Sequence, residues 1–160
     1  MGVPRVYIET TVFNILYEPD LPQYVQNKAD SQRFFDLLKT GRFDPYTSVY
    51  VIRELENNPN QENRDKMLRM VNEYQVKAIP ESDEAERLTA VYLADKVVSP
   101  AWPTDALNVA MTTVNGLDFI VSLNFTHIVR EWTIKKVRVI NAREGYRQIG
   151  IYRPSEVLEL

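Results

Sequence analysis

RVYIETTVFNIL, at residues 5–16, places an apolar run directly before a cluster of polar side chains. Residues 6–8 are β-branched or aromatic, and a short run of this kind predicts a buried strand. Glu9 closes the run, and the hydroxyls of Thr10 and Thr11 follow it. Two interpretations are open: the strand meets solvent at Glu9 and a turn begins, or the strand end supplies one ligand of a metal site.

Further apolar runs along the chain predict the rest of a sheet, at residues 45–49, 76–79, 119–123 and 137–140. Segments with helical spacing of apolar residues lie between them, at residues 30–40, 49–58, 62–74, 82–98 and 104–115. Gly41 and Gly116 stand where two of these helices are expected to end. This alternation predicts a three-layer α/β fold, in which helices cover both faces of a mostly parallel sheet of about five strands. No linker or repeat interrupts the pattern, so residues 1–160 are expected to form a single domain.

The composition is that of a globular chain and excludes several kinds of site. Of the 160 residues, 44% are hydrophobic and 26% are charged. The absence of cysteine excludes disulfides and thiolate metal sites, and a single histidine disfavours a His-rich zinc site. No run approaches the roughly 20 apolar residues of a membrane span, and the strand-like start leaves no room for a signal peptide. The sequence therefore predicts a cytoplasmic protein with no membrane partner.

The charges are unevenly distributed. The net charge is −3 and the pI is about 5.3, so the chain as a whole is not a general polyanion binder. Residues 130–147, called here the basic segment, nevertheless carry six basic residues against Glu131 and Glu144: Arg130, Lys135, Lys136, Arg138, Arg143 and Arg147. Such a segment is compatible with a nucleic-acid partner or with an ordinary solvated edge.

Polar residues at the ends of predicted strands are candidates for a site, because ligands bind beyond the carboxyl ends of parallel strands. Glu9 and Asn124 each follow a strand, and Asp105 lies in the first turn of a helix. Carboxylates gathered without basic partners need a compensating cation, and oxygen ligands suit Mg²⁺ or Mn²⁺. Such an ion activates water and stabilises the leaving oxygen of a phosphodiester. The spacing does not establish that these side chains converge.

The helix at residues 49–58 offers two more carboxylates, Glu54 and Glu56, on opposite flanks of its apolar stripe. Helical geometry does not choose between them. The sequence contains no GxGxxG, Walker or GxSxG motif, so dinucleotide-binding, P-loop and serine-hydrolase interpretations lose their usual support.

Three blocks of the sequence resemble, in order, those of PIN-domain proteins: VYIETTVFNIL, YTSVYVIRELENNP and PAWPTDALNVAMTTVNGLDFIVSLNFTHI. The resemblance runs from about residue 5 to residue 141. The closing GIYRPSEVLEL is similar to the tail of many bacterial members, which are VapC-type toxins of toxin–antitoxin modules. The resemblance implies a Rossmann-like sheet and a Mg²⁺- or Mn²⁺-dependent ribonuclease that cleaves single-stranded RNA. It also implies a homodimer and a small antitoxin protein as partners.

The resemblance assigns the metal ligands residue by residue. The first family aspartate falls on Glu9, the glutamate of the second block falls on Glu54, and the aspartate of the third block falls on Asp105. Glu9 departs from the family pattern, since it keeps the charge but reaches one methylene further. The three carboxylates are enough to hold one Mg²⁺.

The remaining site residues have supporting roles in this interpretation. Asn124 falls on the fourth acidic position and is expected to orient water or substrate, although as an amide it adds no charge. Thr10 and Thr11 are expected to bond the Glu9 carboxylate or a substrate phosphate. His127 has no role, because a metal-activated water needs no histidine.

Two other functions are compatible with the same residues. One is a catalytically degenerate PIN domain that binds RNA or protein without cutting, which the departures at Glu9 and Asn124 motivate. The other is a Mg²⁺-dependent phosphohydrolase of small phosphoesters on a similar sheet. A metal titration with a cleavage assay separates the first alternative from a ribonuclease, and turnover of a nucleotide or sugar phosphate identifies the second.

Overall fold

The computed structural model describes residues 2–160 and shows an α/β fold around one parallel sheet. Every strand pair is parallel, and the order is β3-β2-β1-β4-β5. The strands are β1 (Arg5–Ile8), β2 (Asp44–Ser48), β3 (Lys77–Ile79), β4 (Phe119–Val121) and β5 (Gly150–Tyr152). The predicted fold class is confirmed.

Helices cover the sheet on both faces. In β1 the successive residues Val6, Tyr7 and Ile8 are all fully buried, although neighbouring side chains point to opposite faces. The helices are α1 (Thr10–Asn14), α2 (Pro22–Lys39), α3 (Val49–Glu56), α4 (Gln61–Glu73), α5 (Asp83–Ala94), α6 (Pro103–Val114), α7 (Glu131–Arg143) and α8 (Pro154–Val157), and a 3₁₀ turn spans Ile15–Tyr17. None of the helices within residues 2–160 combines the length and apolarity needed to cross a bilayer.

The predicted helices are found close to their expected positions. Gly41 and Gly116 adopt left-handed backbone conformations, with φ of 77° and 63°, directly after the caps of α2 and α6. Ser82 caps α5 by accepting a hydrogen bond from the Ala85 amide at 3.1 Å. Only α2 differs substantially, since it begins at Pro22 rather than at residue 30.

One predicted strand is wrong. Residues 137–140 lie inside α7, and the fifth strand is β5, within the segment that resembles a family tail. The buried residues of α7 are Thr133, Val137, Ile140 and Asn141, a helical spacing. Val139 is 64% exposed, so the run is buried on one helical face rather than on both faces of a strand. Packing of that face overrides the strand preference of the β-branched residues.

The order of the strands creates a crevice between β1 and β4. The chain proceeds from β1 outward through β2 to β3, and then returns to the other side of β1 to form β4. Ile8 pairs with Val121 at the carboxyl ends of these two strands, and the Glu9 amide donates to the Val121 carbonyl at 3.2 Å. This is the switch point at which open α/β sheets bind their ligands.

Candidate functional site

Glu9 is a buried carboxylate at this switch point. Only 3% of the residue is exposed, and its Oε1 accepts hydrogen bonds from Ser122 Oγ at 2.6 Å and from Thr11 Oγ1. Burial raises the pKa of Glu9 to about 7, against the lowering effect of the Ser122 and Thr11 hydroxyls, and the charge of Glu54 raises it further. Among residues 2–160, no lysine or arginine forms an ion pair with Glu9.

The loop after β4 holds this carboxylate in place. Thr11 Oγ1, while donating to Glu9, accepts from the Leu123 amide at 2.8 Å. Ser122 Oγ likewise accepts from the Asn124 amide at 2.9 Å. Each hydroxyl therefore joins Glu9 to the backbone that follows β4, and the expected role of Thr10 and Thr11 toward a substrate stays a prediction.

Glu54 is an exposed residue of α3, and it is the carboxylate of that helix whose charge acts on Glu9. The helix begins directly after β2, and Ser48 caps it by accepting from the Val51 amide at 3.3 Å. Desolvation raises the pKa of Glu54, the nearby Thr10 hydroxyl lowers it, and the charge of Asp105 raises it. Glu54 interacts electrostatically with both Glu9 and Asp105, which favours it over Glu56 as the site residue.

The Thr10 hydroxyl lies beside this acidic group without a partner. Thr10 is 4% exposed, and its Oγ1 is buried and makes no hydrogen bond with any side chain or backbone group of residues 2–160. It lies near enough to Glu54 to lower the pKa of that carboxylate, but the pair does not meet the full geometry of a hydrogen bond. A buried hydroxyl without a partner costs stability, so this position is suited to an added ligand or water.

Asp105 occupies the first turn of α6 and is held by His127. The Asp105 Oδ2 and His127 Nδ1 atoms are 2.8 Å apart. The His127 ring is stacked on Trp102, the residue before α6, with ring centroids 5.4 Å apart and planes inclined by 27°. Trp102 remains 54% exposed. An aromatic surface therefore adjoins the carboxylate of Asp105.

Asn124 forms the turn that leads to His127. Its Oδ1 accepts a hydrogen bond from the His127 backbone amide at 2.9 Å, and the backbone amide of Asn124 donates to Ser122 Oγ. The carboxamide oxygen therefore shapes the turn after β4, in the way asparagine commonly does. The expected role of Asn124 in orienting water or substrate stays a prediction.

Tyr7 joins the three elements that carry the acidic residues. It lies in β1 and is fully buried, and its hydroxyl is 2.7 Å from Ser48 Oγ and 2.6 Å from Asn108 Oδ1. Ser48 is the cap of α3, and Asn108 belongs to α6. Burial, against the lowering effect of Ser48, raises the pKa of Tyr7, so the hydroxyl stays neutral.

The oxygen atoms at the switch point are of the chemical type that binds a hard divalent cation. Glu9 is buried without a cationic partner, the charge of Glu54 acts on it, and the Thr10 hydroxyl is unpaired. No three histidines, aspartates or glutamates of residues 2–160 lie close enough together to form a complete ligand group. Mg²⁺ keeps several waters and is held by one or two carboxylates, so Glu9 and Glu54 are compatible with it. A shared site for Glu9, Glu54 and Asp105 stays a prediction.

Three of the six basic residues of the basic segment form ion pairs with neighbouring acids. Arg143 lies 2.6 Å from Asp95, and Arg147 lies 2.9 Å from Asp118. Lys135 pairs with Glu131 at 2.8 Å, one turn away on α7. These pairs favour a solvated edge over a nucleic-acid surface for this segment.

No protein-family model matches the chain, and no curated protein matches it. The function of this chain is therefore inferred from the residues at the switch point.

Sequence reasoning missed several residues of this site. Ser122 follows β4 directly. A polar side chain at the end of a strand is the signal that identified Glu9 after β1, and the same signal could have identified Ser122. His127 and Trp102 were separated by 25 positions, and nothing in their spacing showed that they stack. Tyr7 was recognised only as a core residue, because its hydroxyl partners are distant in sequence.

Proposed function

We propose that this protein is a Mg²⁺- or Mn²⁺-dependent endoribonuclease of the PIN type that cleaves single-stranded RNA. The observation that carries the proposal is Glu9, a carboxylate that is 3% exposed at the switch point, that the charge of Glu54 acts upon, and that has no basic partner among residues 2–160. A fold retains such a group at a cost in stability, and a cation relieves that cost.

The residues of the chain bind and orient the ion and the substrate. Glu9 and Glu54 would hold the ion directly, and Asp105 would contribute through one of the waters that such an ion keeps. Ser122 and Thr11 fix the Glu9 carboxylate, and His127 fixes that of Asp105. When bound, the ion supplies an activated water and stabilises charge on a phosphodiester. Thr10 offers its unpaired hydroxyl to a water or a phosphate oxygen.

Aromatic surface beside the acidic residues supports a single-stranded substrate. Trp102 is 54% exposed and is braced on one face by His127, which in turn contacts Asp105. Unpaired bases stack on surfaces of this kind whatever their sequence. A sugar phosphate has no base to stack on such a surface, which favours a substrate that contains nucleobases, and RNA is the one proposed.

The non-cleaving alternative has one observation in its favour. The described part of the chain contains no complete ligand group of three acidic or histidine residues. A protein that binds RNA without cutting would need none. Cleavage of RNA that depends on Mn²⁺ is therefore the property that separates the two functions.

The partners are proposals of the same kind. A homodimer and an antitoxin follow from the resemblance, and a cytoplasmic location follows from the sequence pattern. Apolar residues of α4 and α5 that are only partly buried pack against the core, among them Leu68, Val71, Val91 and Leu93. The dimer therefore depends on the resemblance alone.

The test is cleavage of a labelled single-stranded RNA with and without Mn²⁺. We expect the wild-type protein to cleave only with the ion, and Glu9→Gln to lose cleavage while remaining folded. Glu9→Asp restores the shorter family side chain and is expected to cleave as well as the wild type or better. Undiminished Mn²⁺-dependent cleavage by Glu9→Gln would remove Glu9 from the site.

A further inference from the structure

A cleft of about 360 Å³ opens next to the Glu9 environment. Thr11 and Leu123 line it, and these residues are joined by the hydrogen bond from the Leu123 amide to Thr11 Oγ1. The same Thr11 hydroxyl donates to Glu9. The cleft thus begins at a residue that touches the acidic site, and its volume lies in the range of about 300–1,000 Å³ that small-molecule sites occupy.

Two aromatic residues form walls of this cleft. Tyr24 comes from the start of α2, and Phe125 comes from the loop after β4. Phe125 keeps 40% of its surface exposed, and the Arg153 guanidinium lies 5.1 Å from its ring centroid. Aromatic rings stack on nucleobases, and an adjacent arginine is suited to a phosphate of the same strand.

Carboxamide side chains supply the polar part of the lining. Asn14, Gln23 and Asn27 all contribute, and the Asn14 Oδ1 is buried and has no hydrogen-bond partner among residues 2–160. Each carboxamide offers both donors and an acceptor, the combination that pairs with the edge of a base. Glu18 also lines the cleft, and its negative charge disfavours a phosphate inside it.

We infer that this cleft binds one unpaired nucleobase of an RNA strand whose neighbouring phosphodiester lies at Glu9. The inference rests on the proposed function for its choice of RNA. Tyr24 and Phe125 stack on the base, and the carboxamides of Asn14, Gln23 and Asn27 contact its edge. The cleft would thereby select which nucleotide lies beside the cleavage position.

The first test is binding of a fluorescein-labelled single-stranded RNA, measured by anisotropy with Ca²⁺ in place of Mn²⁺. We expect Phe125→Ala to raise the Kd by at least about fivefold and Phe125→Trp to restore it, because stacking is lost and then regained. Trp132→Ala is the matched control, since Trp132 is 52% exposed on α7 and does not line the cleft. The Kd of this variant for the RNA should equal that of the wild type. An unchanged Kd for Phe125→Ala, or a wild-type protein that does not bind the RNA, would overturn the inference.

The second test concerns the identity of the base. Kd values for homopolymers of A, C, G and U are compared in the wild type and in Gln23→Ala with Asn27→Ala. We expect the Kd values for the four RNAs to differ less from one another in the double variant than in the wild type. Differences that persist unchanged would refute edge recognition by these carboxamides.

These outcomes separate the inference from the proposed function. Binding that depends on Phe125 without any Mn²⁺-dependent cleavage supports the cleft and contradicts the nuclease. Cleavage with binding that is independent of Phe125 supports the nuclease and contradicts the cleft.

Discussion

At the residue scale, protonation of Glu9 couples the acidic site to the stability of the fold. Burial raises its pKa from 4.5 to about 7, more than the Ser122 and Thr11 hydroxyls lower it. Between these two pH values the folded protein keeps a proton that the unfolded chain has lost. The free energy of unfolding therefore falls as the pH rises through this window. Above about pH 7 the full destabilisation caused by ionising the buried Glu9 carboxyl is present.

Replacing Glu9 with glutamine is expected to remove that cost. Glu9→Gln retains an oxygen that can accept from Ser122 and Thr11 but cannot ionise. We expect its free energy of unfolding at pH 8 to exceed that of the wild type by up to about 3 kcal/mol, with little difference at pH 4.5. Urea unfolding at the two pH values measures this, with Glu56→Gln as the exposed control. The same difference at both pH values would show that ionisation of Glu9 has no part in stability.

At the scale of elements, the Tyr7 hydroxyl connects β1 with the start of α3 and with α6. Ser48 and Asn108 are its partners, and the Asn108 Nδ2 atom is already buried without a partner among residues 2–160. Loss of the hydroxyl would leave Asn108 Oδ1 without its donor and loosen the elements that carry Glu54 and Asp105.

Tyr7→Phe is therefore expected to lower the free energy of unfolding by about 1–3 kcal/mol, the cost of leaving a buried acceptor unpaired. Tyr17→Phe is the matched control, because the half-buried Tyr17 donates to the Met70 sulfur, a weaker acceptor, at 3.2 Å. Urea unfolding of the two variants measures the difference. Equal effects in both would contradict a special role for the Tyr7 network.

The start of α6 is the element through which RNA is expected to reach Asp105. Trp102→Ala should raise the Kd for single-stranded RNA by about fivefold or more, since it removes the exposed ring that His127 supports. Anisotropy with labelled RNA measures this, and Trp132→Ala again serves as the control. Equal Kd values for the two variants would remove Trp102 from the RNA surface.

At the scale of the whole molecule, the sequence predicted those parts of the fold that depend on local pattern. The strand at residues 6–8 was recognisable because burial on both faces produces a continuous apolar run. Residues 137–140 were misassigned because β-branched residues favour strands until one helical face packs on the core. The strand β5 has only three residues, and one of them is Gly150, so it offers too little pattern to detect.

The candidate site was predictable only in part. Glu9 was found because the end of a strand is visible in sequence. Its hydroxyl partner Ser122 is 113 positions away, and the Tyr7 hydroxyl meets Asn108 across 101 positions. Such contacts are created by the order of the strands, which the spacing of residues along the chain does not encode.

Assembly is also a property of the whole molecule. We expect a mass of two chains in light scattering at micromolar concentration, on the basis of the resemblance to dimeric toxins. A mass of 18.6 kDa, that of one chain, would contradict the proposed homodimer.

If Glu9 and Glu54 bind a divalent cation at the switch point, calorimetric titration of Mn²⁺ into the RNA-free protein at pH 8 should detect one site in the wild type. We expect this site to be lost in Glu54→Gln and retained in Glu56→Gln, which removes the same charge from the opposite flank of the same helix. Affinity should also fall as the pH drops below about 7, because Mn²⁺ must then displace the proton of Glu9. Equal Mn²⁺ binding by the two glutamine variants, or none by the wild type, would contradict the account.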